Sequence, residues 1–210
     1  MNRFDELFQR YPSLEVCKED IKESIDAIIE CYKMGGKVMT CGNGGSSSDS
    51  GHIVGELMKG FLKMRPLSDE QRAEMKKNNP EISDELMDNL QGSLSAINLT
   101  ENSALVSAFA NDCDPKLSYA QQVLGHARKG DVLIGISTSG NSGNVLDACH
   151  VAKALGIKTI TLTGRDGGKL KAMSDIGIVV PEQETFKIQE LHLPVYHCIC
   201  AMVEEYFYKK

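Results

Sequence analysis

KVMTCGNGGSSSDSGHIVGE (37–56) passes from a short apolar strand, KVMTC, through a glycine loop at 42–45 into a helix predicted over 47–62, with Ser and Asp at its start to cap it. Strand, glycine turn and helix form the repeating unit of a parallel sheet covered by helices. The unit recurs further along. DVLIGIS (131–137) leads through a Ser/Thr-rich turn into a helix over 141–156. IKTITLTG (157–164) leads into a short helix around 168–173, and IGIVVP (176–181) into a long C-terminal helix, 184–207. SLSAINL (93–99) reads as a further strand, followed by helices over 102–112 and 115–128. Continuous apolar strands alternating with helices predict an α/β fold: a doubly wound, Rossmann-like parallel sheet.

Upstream, Leu14, Val16, Ile21, Ile25, Ile28, Ile29 and Tyr32 recur at roughly helical spacing over 12–34, and Gly35-Gly36 ends the pattern. Residues 1–35 therefore read as an N-terminal helical addition. Residues 64–91 change character. They are densely charged, poor in aliphatics and interrupted by Pro66 and Pro80, which predicts a surface excursion with short helices. The 210 residues fit one domain, 1–210, large enough to bury roughly 70% of its unfolded surface.

A net charge of −6 argues against a nucleic-acid surface, which needs clustered Lys and Arg, but not against a phosphosugar held by local dipoles. No stretch approaches the roughly 20 apolar residues of a membrane span. The N-terminus, MNRFDELFQRYPSLEV, lacks a signal-peptide apolar core, so a cytoplasmic location is predicted. The seven Cys, an odd number with no CxxC pair, read as reduced, buried thiols; Cys41, beside the glycine loop, is the one to watch.

In sheets of this kind ligands bind beyond the carboxyl ends of the strands, where both glycine-rich turns fall. In GISTSGNS (135–142), Ser137, Thr138, Ser139 and Ser142 offer hydroxyls at the start of a helix whose free N–H groups suit a phosphate dianion. Simple helix capping is the competing explanation for such a turn. In the first loop, Asn43, Gly44 and Gly45 permit positive φ and close backbone approach, and Ser46 adds a hydroxyl. The loop is neither a Walker P-loop nor GxGxxG, which favours a small phosphate ester over a nucleotide. His52 and Glu56, four apart on a helix, can point at one metal or one substrate. Gln189 and His197 on the last helix are about 12 Å apart along its axis, with Pro194 between them, and His192 competes for the same role.

With these motifs the chain resembles the SIS (sugar isomerase) domain proteins, and among them the phosphoheptose isomerases. The resemblance rests on CGNGGS with HxxxE (41–56), ND (111–112), GDVLIGISTSGNSGNV (130–145), TLTGRDGG (161–168) and IQELHLPVYH (188–197), and covers nearly everything except 64–91. It implies an SIS-type fold and interconversion of sedoheptulose 7-phosphate and D-glycero-D-manno-heptose 7-phosphate through an enediol. It further implies one Zn²⁺ per site on His52, Glu56, Gln189 and His197, with Glu56 as general base and His197 as general acid. Ser46, Ser137, Thr138, Ser139 and Ser142 correspond to sugar-phosphate contacts, and Asn43 and Asp112 line the site. The family assembles as homotetramers with sites shared between subunits, an outcome also expected from the apolar stripes on the terminal helices.

Two positions depart from the family pattern. Lys59-Gly60-Phe61 stands where a Gly-Arg-Phe context is common, and Phe186 stands where an Asp precedes the Gln by three. The 64–91 segment is predicted to lie near the mouth of the site as a lid or specificity loop, with Lys59, Lys63 or Arg65 replacing the missing positive charge. Two rival functions remain open: an isomerase or binding protein for another phosphosugar, and a non-catalytic SIS regulatory module. The second loses the residues matching Glu56 and His197, and both are present here.

Overall fold

The computed structural model describes residues 2–208. The chain opens with α1 (Arg3–Arg10), a 3₁₀ turn over Pro12–Cys17 and α2 (Lys18–Lys33), then β1 (Val38–Gly42) and α3 (Gly45–Met58). Two short helices, α4 (Asp69–Asn78) and α5 (Asp84–Asp88), precede β2 (Ala96–Asn98). There follow α6 (Ser103–Asp112), α7 (Ser118–His126), β3 (Val132–Ile136), α8 (Gly143–Ala154), β4 (Lys158–Thr163), α9 (Gly168–Met173), β5 (Ile176–Val179) and α10 (Thr185–Phe207). The strands form one parallel sheet in the order β2-β1-β3-β4-β5.

Alternation along the strands builds the two faces. Val132, Ile134 and Ile136 of β3 point to one side with Ile21, Ile25 and Ile28 of α2 and with α3 and α10; Leu133 points to the other with α7, α8 and α9. The sheet is thus wound on both sides. β1 and β3 lie side by side in register from Val38↔Val132 to Gly42↔Ile136, while the chain leaves β1 for β2 on one flank and β3 for β4 on the other. That reversal creates a crevice at the carboxyl ends of β1 and β3, the general ligand position of such sheets.

α3 departs from the prediction at both ends. Gly44, with φ +57°, precedes it, and no side chain caps it. Ser47 instead bonds Thr100 Oγ1 (2.8 Å), and the Ser50 hydroxyl donates to Ser46 O (2.9 Å). The helix stops at Met58 and not at 62 because Lys59 is extended and the Arg65 guanidinium takes the last carbonyls, Leu57 O (2.7 Å) and Glu56 O (3.1 Å).

Arg65 roots the 64–91 segment. It is fully buried, donates through Nε to Glu204 Oε1 (2.8 Å) and lies under the Tyr208 ring. The amides of Phe61 and Leu62 donate to the same carboxylate, each at 2.8 Å. A Pro66↔Gln91 bridge and a Gly92 N–H bond to Arg65 O close the base. Beyond it, α4 and α5 are mostly solvent-facing, with Met87 buried; Ser68 and Gln71 form a capping box, and Arg72 pairs with Asp88. Among the described residues no helix is long and apolar enough to cross a membrane.

Candidate active site

At the crevice the two loops hold each other. Asn43 Nδ2 donates to Asn144 Oδ1 and Asn144 Nδ2 to Asn43 Oδ1, both at 2.8 Å. Tyr119 fixes the first loop from below, its hydroxyl donating to Gly42 O (2.8 Å). In the second loop the hydroxyls of Ser137 and Ser142 share a 2.9 Å hydrogen bond, and Ser139 Oγ accepts from Asn141 N–H (3.2 Å). Since Ser142 bonds Ser137, no side chain caps α8. The positive end of α8 thus opens beside a cluster of hydroxyls, a setting suited to a dianion.

The second group of polar residues lies in the seam between α3 and α10. These helices run in the same direction, so His52 and Glu56 face His197. His52 Nε2 is 2.9 Å from Glu56 Oε1 and 3.5 Å from His197 Nε2, and one donor atom from each of the three lies within 4.8 Å of the others. Glu56 Oε2 is buried without a hydrogen-bond partner among the described residues. Burial first, then the adjacent His52, holds His197 below the usual histidine range. Two imidazoles and a carboxylate with an unused oxygen form a donor set that fits a divalent ion of the zinc type.

The SIS domain family model matches residues 9–98 and 93–164. A phosphoheptose isomerase of Helicobacter pylori (strain P12) is 40% identical over 198 residues, 94% of this chain and 90% of the relative. This chain belongs to the phosphoheptose isomerase family of SIS domain proteins. Solved structures agree. The phosphoheptose isomerase of Neisseria gonorrhoeae superposes with a TM-score of 0.74 at 30% identity, covering 96% of this chain and 95% of that one. The enzyme from Francisella tularensis gives 0.76 at 29%, covering 96% and 94%.

Within this family member the predicted site residues fall into separate sets. Asn43 and Gly44 sit on the first loop, with Gly45 and Ser46 opening α3, and Ser137, Thr138, Ser139 and Ser142 sit on the second, at the carboxyl edge of adjacent strands. His52, Glu56 and His197 converge in the seam. Gln189 lies in the same seam but nearer the start of α3, its amide packed where a Cβ on Gly45 would sit, roughly 10 Å of helix before His52. Asp112 is exposed at the end of α6, and its hydrogen bond comes from Asn111 Nδ2 (2.8 Å).

His192 takes no part in the seam. It points into the core, with Nε2 3.1 Å from Thr163 O, and burial pushes its pKa down to about 4. Arg65 is also excluded as a free cation for the sugar, because its guanidinium is consumed by Glu204 and the end of α3. Lys59 Nζ donates to Gly60 O and Lys63 Nζ to Tyr208 O. Phe186 is 55% exposed. Cys41 is buried and its thiol is raised well above its ordinary value by burial, which removes it as a nucleophile; Cys113 is the exposed thiol.

Three features escaped the sequence reading. Asn144, inside the quoted SGNSGNV run, pairs the loops. Tyr196 and Asp49 stand behind His52, each adjacent in sequence or one turn away from a residue already singled out. Glu204 has no local signal except that it is a carboxylate on the apolar stripe of α10.

Proposed function

We propose that this chain is an aldose–ketose isomerase interconverting sedoheptulose 7-phosphate and D-glycero-D-manno-heptose 7-phosphate. The observation that carries the reading is the convergence of His52, Glu56 and His197 in a chain whose relatives, over nearly its whole length, are phosphoheptose isomerases. The loops after β1 and β3 take the 7-phosphate: α8 supplies its positive end, and Ser137, Thr138, Ser139 and Ser142 supply hydroxyls. Glu56 removes the proton from C1 of the ketose while His197 protonates the C2 carbonyl oxygen, giving the 1,2-enediol. Glu56 then returns the proton to C2 while His197, left deprotonated by the first step, takes the O1 proton, and the aldose forms with both residues restored. Bound at His52, Glu56 and His197, Zn²⁺ would supply Lewis-acid polarisation of the carbonyl; Gln189, held against Gly45 in its own chain, would serve as the fourth ligand only from a neighbouring subunit.

Within one chain the phosphate loops and the His52–Glu56–His197 cluster are separated along α3. α3 leaves the crevice at Gly45 and carries His52 and Glu56 roughly 10–17 Å down its length. A homotetramer in which loops of one subunit complete the seam of another accounts for this separation. It also accounts for α6, whose SALVSAFA face has no buried residue in the chain.

Incubating the protein with a panel of C6 and C7 ketose phosphates and following each by NMR tests the reading. Turnover should be confined to, or fastest with, the C7 ketose 7-phosphate. Turnover of a C6 ketose phosphate alone would transfer the proposal to another phosphosugar. No turnover of any, with intact phosphosugar binding, would favour the regulatory-module reading.

A further inference from the structure

We propose that Tyr196, backed by Asp49, is a positioning residue that sets which nitrogen of His52 faces the metal, an inference that rests on the metal reading above. Tyr196 precedes His197 on α10, and Asp49 lies one turn before His52 on α3. The Tyr196 hydroxyl is 3.0 Å from His52 Nδ1 and donates to Asp49 Oδ1 (3.3 Å). It carries a single proton. With that proton given to the Asp49 carboxylate, only oxygen lone pairs remain towards His52, and Nδ1 must be the N–H that donates to them. A neutral imidazole has one N–H, so Nε2 is left as a lone pair.

That lone pair points at Glu56 Oε1, 2.9 Å away, and at His197 Nε2, 3.5 Å away. Electron-rich atoms gathered this closely repel one another unless a cation lies among them. In the opposite arrangement Tyr196 donates to Nδ1, and Nε2–H is spent on Glu56. Two donor atoms are then lost to a metal, and the tyrosine oxygen faces the Asp49 carboxylate with no proton between them. Asp49 favours the first arrangement: among the described residues its buried Oδ2 has no hydrogen-bond partner, and the Tyr196 hydroxyl is what donates to its Oδ1. The Tyr196 ring also meets both imidazoles edge-on, with centroids 5.4 Å from His52 and 5.1 Å from His197. One buried side chain therefore orients two ligands, through its hydroxyl and through its ring.

Tyr196→Phe keeps the ring and removes the hydroxyl. Zinc affinity, measured by competition with a chromophoric chelator, should fall about 10–100-fold, and Asp49→Asn should weaken it in the same direction. In a His52→Ala background, Tyr196→Phe should cause no further loss. Nitrogen NMR of the zinc-loaded protein should place the His52 proton on Nδ1. Unchanged affinity in both Tyr196→Phe and Asp49→Asn, with wild type binding zinc, overturns the inference and leaves the metal site standing. A loss that persists in the His52→Ala background also overturns it, since Tyr196 would then be acting through general packing. Failure of the wild type to bind zinc would remove the metal reading and this inference together.

Discussion

The two loops at the sheet edge pair their polar groups with one another: amide with amide at Asn43 and Asn144, hydroxyl with hydroxyl at Ser137 and Ser142. The seam between α3 and α10 does the reverse. His52 and Glu56 on one helix approach His197 on another far away in sequence, and among the described residues Glu56 Oε2 is left unpartnered. A loop that satisfies itself can exchange those bonds for a ligand's at little cost, and so it is suited to holding a group that does not react. A seam that brings lone pairs together is satisfied only by something added, which suits the reacting end. Substitutions at the edge should therefore change binding, and substitutions in the seam should change chemistry or the fold that supports it.

The sharpest test of that division is Glu56→Gln. Turnover should fall about 10²–10⁴-fold while the phosphosugar still binds, because the carboxylate base is removed and the loops are untouched. Wild-type turnover in this variant would erase the distinction between the regions. Next in size is the floor of the seam. Arg65→Met leaves Glu204 buried and uncompensated and should destabilise the fold by about 3–5 kcal/mol in urea unfolding. Arg65→Met with Glu204→Leu should recover most of that loss; no recovery would mean that the amides of Phe61 and Leu62, not the ion pair, are what Glu204 serves.

His192 lies outside both regions and ties α10 to Thr163 at the carboxyl end of β4. Its folded pKa of about 4 lies below the roughly 6.5 of an unfolded histidine, so the unfolded chain binds the proton more readily. The stability its neutral form contributes is complete above about pH 6.5 and is lost as pH falls towards 4, by roughly 3 kcal/mol over that window. His192→Gln should flatten the difference between denaturation midpoints at pH 7 and 4.5; an unchanged slope would remove His192 from the account. The smallest effect belongs to the edge. Ser139→Ala should raise KM for the phosphorylated sugar by the equivalent of about 1.5–3 kcal/mol and leave kcat nearly alone. An unchanged KM would mean that Ser139 only receives the Asn141 amide within its turn.

The sheet was readable because each strand is a continuous apolar run followed by its own turn, and the carboxyl-edge loops were readable because glycine and serine there have local causes. The His52–Glu56 pair was also local, four residues apart on one helix. What the reading missed is set by contacts that no spacing encodes. That His192 and not His197 faces the core depends on which side of α10 meets β4. That Arg65 is structural depends on Glu204, 139 residues away. Tyr196 reads as one more aromatic on an apolar helix until the fold sets its hydroxyl between Asp49 and His52.

The closed base of the 64–91 segment has a consequence for how such a chain can be altered. Because Pro66 and Gln91 already bridge, and Gly92 and Gly60 are tied to Arg65 and Gln91, the chain between them adds little to what holds the sheet together. Loop closure grows only as the logarithm of length, so lengthening or shortening this stretch shifts stability by roughly 1 kcal/mol per few-fold change. The molecule thus carries a socket: one pair of neighbouring ends, anchored behind Glu56, into which a different insert can be spliced without rebuilding the packed core beside it.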